Sequence, residues 1–201
     1  MSRAPAVPVI PVQVLMTAYA EGRFPMAHAD GELYWHDPDP RAVFPLERLR
    51  PDARLARRMR NGGFTITRDE AFDPVVQGCA QREETWIDAR IRATYGALHR
   101  AGHAHSVEVW ARTDDAERAL VGGIYGVALG GAFFGESMFH RRSDAGKVAF
   151  YALAEHLRAR GFALFDSQYL NPVTARLGAE EVPRARFLRM LATARTMPVC
   201  F

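Results

Sequence analysis

Three polar side chains at the ends of two apolar segments are the residues of this chain best suited to chemistry. Glu136 follows the run LGGAFFG at 129–135, while Asp166 and Gln168 end the segment FALFDSQ at 162–168. A carboxylate in an apolar segment must be paired, hydrated in a pocket or protonated, because burying it alone as an ion is costly. Two carboxylates and an amide in one place could orient an amine and take its proton. A purely structural network that holds two strand ends together is the alternative.

The surrounding pattern predicts that both apolar segments are strands of one sheet. A glycine pair at 130–131 favours a hairpin before the first of them. A helix expected over residues 144–160 then leads to the segment at 162–168, and such a crossover places two strands parallel, either adjacent or one strand apart. Since side chains alternate along a strand, Asp166 and Gln168 should share one face at the strand's end, where sheets bind ligands.

The remaining hydrophobic periodicity predicts an α+β fold, with a mixed sheet and flanking helices. A glycine pair at 62–63 is the clearest break in the pattern. We therefore expect a small N-terminal domain over residues 1–62 and a larger domain with the mixed sheet over residues 63–201. Further helices are expected at 12–22, 51–61, 71–80, 88–101 and 184–196, and strands at 33–35, 42–45, 64–68, 105–112 and 179–183.

The 201-residue chain has the composition of a globular protein, with 48% hydrophobic and 24% charged residues. No apolar run is long enough to cross a bilayer, and prolines break up the N-terminal segment, which makes it a poor signal peptide. Two cysteines, Cys79 and Cys200, form no CxxC pair. We therefore expect a cytoplasmic protein that does not associate with membranes.

Nearly every cation of the chain is an arginine, since Lys147 is its only lysine, and the formal net charge is +3. The arginines expected on one face of the helix near 51–61 are Arg50, Arg54, Arg57 and Arg58. Arginine suits bidentate contact with phosphate, but a basic helix face is often simply hydrated. At this point both interpretations of the face remain open.

Motifs for a metal or an organic cofactor are weak. His99, His103 and His105 are close in sequence, but Gly102 interrupts any helix between them and no carboxylate or thiol completes a ligand set. The glycine-rich hairpin does not follow the dinucleotide fingerprint. The loop HRRSDAGK at 140–147 has a single glycine, so it would be a poor pyrophosphate cradle and argues against a CoA-dependent acetyltransferase. We expect no cofactor.

Several large apolar residues are expected near the polar trio, namely Trp35, Trp86, Ile124, Tyr125, Phe133 and Phe134. Most residues of this kind belong to a core. A minority could line a pocket for an apolar side chain, where tryptophan offers both area and a polar group.

Ordered motifs over most of the chain resemble those of the leucyl/phenylalanyl-tRNA–protein transferase family. The motifs are AYAEGRFPM at 18–26, YWHDPDPRAVFPLE at 34–47, TWI at 85–87, LHRAGHAHSVEVW at 98–110, LVGGIYGVALGGAFFGESMF at 120–139, the Asp-x-Gln of 166–168, and LGAEEVPRARF at 177–187. So many blocks in the same order make a chance likeness very improbable.

The resemblance implies an enzyme that takes leucine or phenylalanine, and methionine less well, from aminoacyl-tRNA. The acceptor is the N-terminal Arg or Lys of a protein, which is thereby marked for N-end rule degradation. The family uses no metal or organic cofactor, and its C-terminal part has a GNAT-like fold, as the strand order above also indicates. We expect a monomer.

The resemblance also implies roles for individual residues. The family's catalytic Asp and Gln match Asp166 and Gln168, and the Glu of its GESMF motif matches Glu136. Its aminoacyl pocket matches Trp35, Trp86, Ile124 and Phe133. The basic helix face becomes a candidate tRNA contact through Arg54, Arg57 and Arg58.

Some positions depart from the family's pattern. This chain has Val173 and Arg176 where the family commonly has His and Ser, and it has His140 and Gly146 at two further motif positions. These departures bear on substrate preference more than on the type of reaction. A small-molecule N-acyltransferase of similar fold and a non-catalytic adaptor that binds N-terminal residues are the alternative functions.

Overall fold

A computed structural model of the chain describes residues 9–82, 85–113 and 117–201. The α-helices of this part are α1 (Val12–Ala20), α2 (Ala53–Asn61), α3 (Phe72–Ala80), α4 (Ala89–Arg100), α5 (Ala145–Arg160), α6 (Pro172–Arg176) and α7 (Arg184–Ala194), and Leu46–Arg48 forms a short 3-10 helix. The strands are β1 (Phe24–Ala27), β2 (Leu33–His36), β3 (Arg41–Phe44), β4 (Phe64–Arg68), β5 (Ala104–Arg112), β6 (Arg118–Leu129), β7 (Ala132–His140), β8 (Leu164–Gln168) and β9 (Glu180–Val182).

Seven strands form one mixed sheet in the order β4-β5-β6-β7-β8-β3-β9, and β1 pairs with β2 in a separate hairpin. Strands β7 and β8 are adjacent and parallel, as the helical crossover predicted, and the predicted hairpin between β6 and β7 is also present. The other strand pairs of the sheet are antiparallel. The predicted α+β fold with a mixed sheet is therefore confirmed.

Helices cover both faces of this sheet. One apolar core lies between the sheet and helices α1, α3, α4 and α7, and the other lies between the sheet and helices α2 and α5. Full burial of each large apolar side chain contributes about 1.5–3 kcal/mol, so the two cores fix the strands between them. The glycines of β6 permit this packing, because a Cβ on Gly122 would lie 2.7 Å from the Cβ of Ala145 in α5.

The parallel pairing of β7 with β8 ends early. Its register runs from Ala132 opposite Leu164 to Phe134 opposite Asp166, and beyond that point β8 continues beside β3. The strands therefore diverge just where Glu136 and Gln168 follow, and an opening can form between them.

The predicted domain boundary at residue 62 remains a prediction. Strand β3 belongs to the first predicted domain, yet it lies between β8 and β9 within the seven-stranded sheet. The segment before residue 62 therefore contributes directly to the larger sheet. Its hairpin β1–β2 is the part that pairs outside that sheet.

Candidate active site

A cavity of about 650 Å³ opens where β7 and β8 diverge. Glu136 on β7 and Gln168 on β8 form its polar end. The apolar part of its wall includes Met26, Phe44, Trp86, Ile124, Met138 and Phe150. The cavity thus combines a polar end with space for an apolar group, as a site that positions a small apolar side chain requires.

Glu136 is held by neutral hydrogen-bond donors. Its Oε1 accepts from the Tyr19 hydroxyl at 2.6 Å and from Gln168 Nε2 at 2.9 Å, and its Oε2 accepts from the Tyr95 hydroxyl at 2.9 Å. The two tyrosine oxygens are themselves 2.6 Å apart. Burial raises the pKa of Glu136 to about 7, although the hydrogen bonds from Tyr19, Gln168 and Tyr95 pull this pKa down. Glu136 can therefore change its charge near neutral pH.

Asp166 is held by a buried cation. Arg41 Nε donates to its Oδ1 at 2.9 Å and Arg41 Nη2 to its Oδ2 at 2.6 Å, while Arg41 Nη1 donates to the carbonyl of Gly22 at 2.8 Å. The Arg41 guanidinium also lies between the rings of Phe24 and Phe187, 4.9 and 4.5 Å from their centroids. Burial lowers the pKa of Arg41, but Asp166 more than offsets this and the pKa ends above its ordinary value. The pair is a fixed, fully desolvated charge pair.

Gln168 connects these two carboxylates. Its backbone has a φ of +65°, in the left-handed region that residues other than glycine seldom adopt. Asp166 Oδ1 accepts from the Gln168 backbone N–H at 3.0 Å and thereby holds this conformation. The Gln168 side chain then reaches Glu136 through Nε2. Asp166 therefore contacts the backbone of Gln168, whereas Glu136 contacts its side chain.

The four predicted pocket residues separate into two groups. Trp86 and Ile124 line the cavity. Phe133 is buried in the core under α5 and does not line the cavity. Trp35 lies at a second, neighbouring depression and is 43% exposed. Of the four, the cavity therefore brings together Trp86 and Ile124, while Phe133 and Trp35 lie outside it.

Sequence reasoning missed three residues of the polar cluster. Tyr19 and Tyr95 lie on α1 and α4, where apolar periodicity marks them as ordinary core residues. Arg41 had a usable signal, because a buried aspartate on β8 requires a cationic partner and the chain has a single lysine, Lys147. The partner therefore had to be an arginine, and Arg41 stands at the start of an apolar strand.

The predicted basic face of α2 is only partly free. Asp144, at the start of α5, accepts from Arg54 at 3.2 Å and lies 3.5 Å from Arg58. The Arg58 guanidinium also lies 5.7 Å from the centre of the Phe64 ring. Arg57 is exposed. One carboxylate thus offsets part of the positive charge of this face.

The histidines considered as metal ligands have other contacts. His105 Nδ1 lies 2.8 Å from a carboxylate oxygen of Asp69, and His99 Nδ1 lies 2.8 Å from the carbonyl oxygen of Ala104. Within residues 9–82, 85–113 and 117–201, no group of three or more His, Cys, Asp or Glu side chains could hold a metal ion.

The chain thus combines a mixed sheet with a cavity that holds a carboxylate and an amide. The chain belongs to the leucyl/phenylalanyl-tRNA protein transferase family, whose model matches residues 43–192, with the family's N-terminal domain matching residues 10–39. A leucyl/phenylalanyl-tRNA--protein transferase of Ruegeria pomeroyi is 51% identical over 187 residues, which cover 92% of this chain and 87% of the relative. The one from Gloeobacter violaceus is 48% identical over 190 residues, covering 94% of this chain and 96% of the relative.

The fold also has a solved counterpart. The crystal structure of FemX superposes with a TM-score of 0.54 at 12% identity, covering 89% of this chain and 70% of that chain. This likeness shows a shared fold. In the part of the chain that is described, no helix has both the length and the apolar character to span a membrane.

Proposed function

We propose that this chain transfers leucine or phenylalanine, and methionine less well, from aminoacyl-tRNA to the N-terminal Arg or Lys of a protein. The reaction forms a peptide bond, and the product is marked for N-end rule degradation. Because an aminoacyl ester is already activated, the reaction needs no metal or organic cofactor. We propose that the chain acts as a monomer in the cytoplasm.

The observation that carries this proposal is the hydrogen bond from Gln168 to Glu136 at the polar end of the cavity. It places a carboxylate and an amide 2.9 Å apart beside an apolar wall, in a chain of this family. An apolar aminoacyl side chain would fit the wall around Trp86 and Ile124, while its ester carbonyl faces the polar end. Bringing two substrates together in this way can lower the barrier by several kcal/mol, up to about 7–11.

The polar contacts support a division of roles. Gln168 donates through Nε2 to Glu136, so its carbonyl oxygen remains to accept from the acceptor's α-amine. That amine has a pKa of about 7.7–8 before binding and must lose a proton to attack. Glu136, with a pKa of about 7, is suited to hold the cationic amine and to take this proton. The new C–N bond then replaces the ester C–O bond, and the tRNA 3′ oxygen leaves with a proton.

Asp166 supports this chemistry without lining the cavity. It is fully buried and does not line the cavity, so we assign it to positioning Gln168 through the backbone contact, with its charge fixed by Arg41. Its negative charge also favours polarisation of the Gln168 amide toward the amine.

We assign the larger domain to the GNAT-like folds. Support comes from the parallel pair β7–β8, whose register ends at Phe134 and Asp166 and leaves a gap that forms the cavity. Helix α5 provides the crossover between these two strands.

The test is transfer of labelled amino acids by the purified chain. Leu-, Phe-, Met- and Ala-tRNA are each offered with peptides that begin with Arg, Lys or Ala, and acetyl-CoA with the same peptides is a separate arm. We expect transfer of Leu and Phe to the Arg and Lys peptides. Transfer from acetyl-CoA without tRNA would favour a small-molecule acyltransferase, and peptide binding without any transfer would favour an adaptor.

The α2 face is proposed as a tRNA contact through Arg54, Arg57 and Arg58. Removing one arginine–phosphate ion pair should reduce the slope of log binding constant against log salt by roughly 0.7–0.9. Because Asp144 already engages Arg54 and Arg58, Arg57→Gln should reduce the slope at least as much as Arg54→Gln. Arg92→Gln, on the exposed side of α4, is the matched control. An unchanged slope in the triple glutamine variant would show a merely hydrated face.

A further inference from the structure

A second depression of about 450 Å³ adjoins the active-site cavity, and we call it the outer groove. It is lined by Trp35, His36, Asp37, Pro38, Asp39, Pro40, Tyr169, Leu170 and Glu181. Tyr169 lines both depressions and directly follows Gln168 in the chain. His36 Nδ1 lies 2.7 Å from the Tyr169 hydroxyl and fixes this ring between them. The outer groove therefore borders the candidate active site at Tyr169.

The outer groove exposes apolar surface that a free protein usually covers. Trp35 is 43% exposed, and Tyr169 and Leu170 are each 40% exposed. Clustered exposed aromatic and aliphatic side chains mark sites of contact with another molecule. Aromatic rings at such a site also attract arginine and lysine side chains.

The rim of the outer groove is acidic. Asp37 is paired with Arg184, and the Arg184 backbone N–H donates to Asp39 Oδ1 at 3.1 Å. Among the described residues, neither Asp39 Oδ2 nor the Glu181 carboxylate forms a hydrogen bond or ion pair. The rim therefore keeps a net negative charge.

The opposite side of the active-site cavity is basic. Arg82 and Arg141 line it, and their guanidinium groups donate to neutral oxygens, including the carbonyl of Met138 and the side-chain oxygen of Gln81 at 2.9 Å. Charges separated in this way sort oppositely charged partners to opposite sides of one site. A polyanion would approach past Arg82 and Arg141, and a cationic chain would approach across the outer groove.

We propose that the outer groove binds the acceptor protein along the residues that follow its N-terminal one, and that it favours basic over acidic residues at acceptor positions two to four. The inference rests on the proposed function, because it takes the acceptor's amine to lie at Gln168 and Glu136. An extended chain advances about 3.3–3.6 Å per residue, so the next few residues would pass Tyr169 and reach Trp35 and Asp39. Trp35 then serves the acceptor, which accounts for its distance from the aminoacyl pocket.

The experiment measures kcat and KM for three peptides that share an N-terminal Arg and carry Lys, Gln or Glu at positions two to four. The enzymes are the wild-type chain, Asp39→Asn/Glu181→Gln, and the control Glu155→Gln, which removes an exposed charge on α5. For the wild-type chain we expect KM to rise from the Lys to the Gln to the Glu peptide, by about two- to fivefold for each step, the size of an exposed ion pair. The double variant should lose this dependence, while the control keeps it.

Two further measurements distinguish a wrong groove assignment from a wrong proposed function. The KM for Leu-tRNA should be the same in all three enzymes, and raising the salt concentration should compress the peptide series, because salt screens exposed charges. Equal KM values for all three peptides, or an unchanged series in the double variant, would overturn the groove assignment while transfer itself persists. Absence of transfer to every peptide would instead overturn the proposed function.

Discussion

Asp166 and Glu136 are two buried carboxylates on the same side of one sheet, and they are stabilised in opposite ways. Asp166 forms a bidentate pair with Arg41, in which the side chains are 0% and 1% exposed. Glu136 is 8% exposed and accepts hydrogen bonds from Tyr19, Tyr95 and Gln168, all of which are neutral. The cost of desolvating a carboxylate is offset by the Arg41 cation at Asp166 and by the dipoles of neutral hydrogen-bond donors at Glu136.

The two carboxylates are therefore suited to different tasks, Asp166 to a structural one and Glu136 to proton transfer. A carboxylate locked to a buried guanidinium suits a structural task, such as holding the left-handed backbone of Gln168. Burial among neutral donors brings the pKa of Glu136 to about 7, where proton uptake and release need little energy. The buried tyrosines have raised pKa values, mainly through burial, so they stay protonated and keep donating.

The largest effect should come from breaking the charge pair. Arg41→Met leaves Asp166 buried without its cation, which typically costs about 3–5 kcal/mol. Urea denaturation should therefore show a much lower free energy of unfolding, if the variant folds at all. Arg48→Met is the matched control, because the Arg48–Glu180 pair is more than half exposed and is worth at most about 1 kcal/mol.

A second variant keeps this test informative if Arg41→Met does not fold. Arg41→Met/Asp166→Leu removes both charges, and such replacements are often neutral for stability. We expect the double variant to regain most of the lost stability but not the transfer activity. If the double and single variants were equally unstable, the instability of Arg41→Met would not come from the unpaired charge of Asp166.

The next largest effect concerns the position of Gln168. Asp166→Asn retains an oxygen for the Gln168 N–H but places an amide against the Arg41 donors, which should shift the turn. We expect kcat to fall by about 100-fold, the cost of a displacement of about 1 Å, with KM for Leu-tRNA little changed. Asp69→Asn is the control, since Asp69 also accepts from a backbone N–H, that of Ser106. Wild-type turnover by Asp166→Asn would exclude the role of Asp166.

Much of this arrangement could be predicted from the sequence because it depends on local periodicity. The helical crossover indicated parallel strands, and β7 and β8 are parallel neighbours. The strands of the hairpin and the helix after it also follow from glycines and apolar spacing. These are short-range signals, and the structure contains them as expected.

The partners of the two carboxylates depend on long-range contacts. Tyr19 and Glu136 are 117 positions apart, and Arg41 and Asp166 are 125 apart. Nothing in the residues around Tyr19 distinguishes it from a core aromatic on an amphipathic helix. The position of Phe133 outside the cavity depends on long-range pairing too, since it follows from where the parallel register of β7 and β8 ends.

A smaller effect should appear in the pH dependence of activity and of stability, which Glu136 should influence. If Glu136 acts as an ion, kcat/KM for the acceptor should rise through a midpoint near pH 7, and Glu136→Gln should lose this rise and depend instead on deprotonation of the acceptor amine at about 7.7–8. The free energy of unfolding should fall, and not rise, as the pH increases. Because the folded-state pKa lies above the ordinary value of 4.5, Glu136 makes the fold less stable as pH rises from about 4.5 to 7, on the order of 3 kcal/mol in all. An identical pH dependence in both proteins would contradict this assignment.

The smallest effect tests the neutral donors themselves. The Tyr19 hydrogen bond lowers the pKa of Glu136, so Tyr19→Phe should move the midpoint of the activity profile upward, by about one to two pH units for a hydrogen bond to a charged group. Tyr125→Phe is a close control, because the buried Tyr125 hydroxyl has no hydrogen-bond partner among the described residues. Its removal should leave the midpoint unchanged and cost little stability. Equal shifts in both variants would mean that packing, and not the Tyr19 hydroxyl, sets the titration of Glu136.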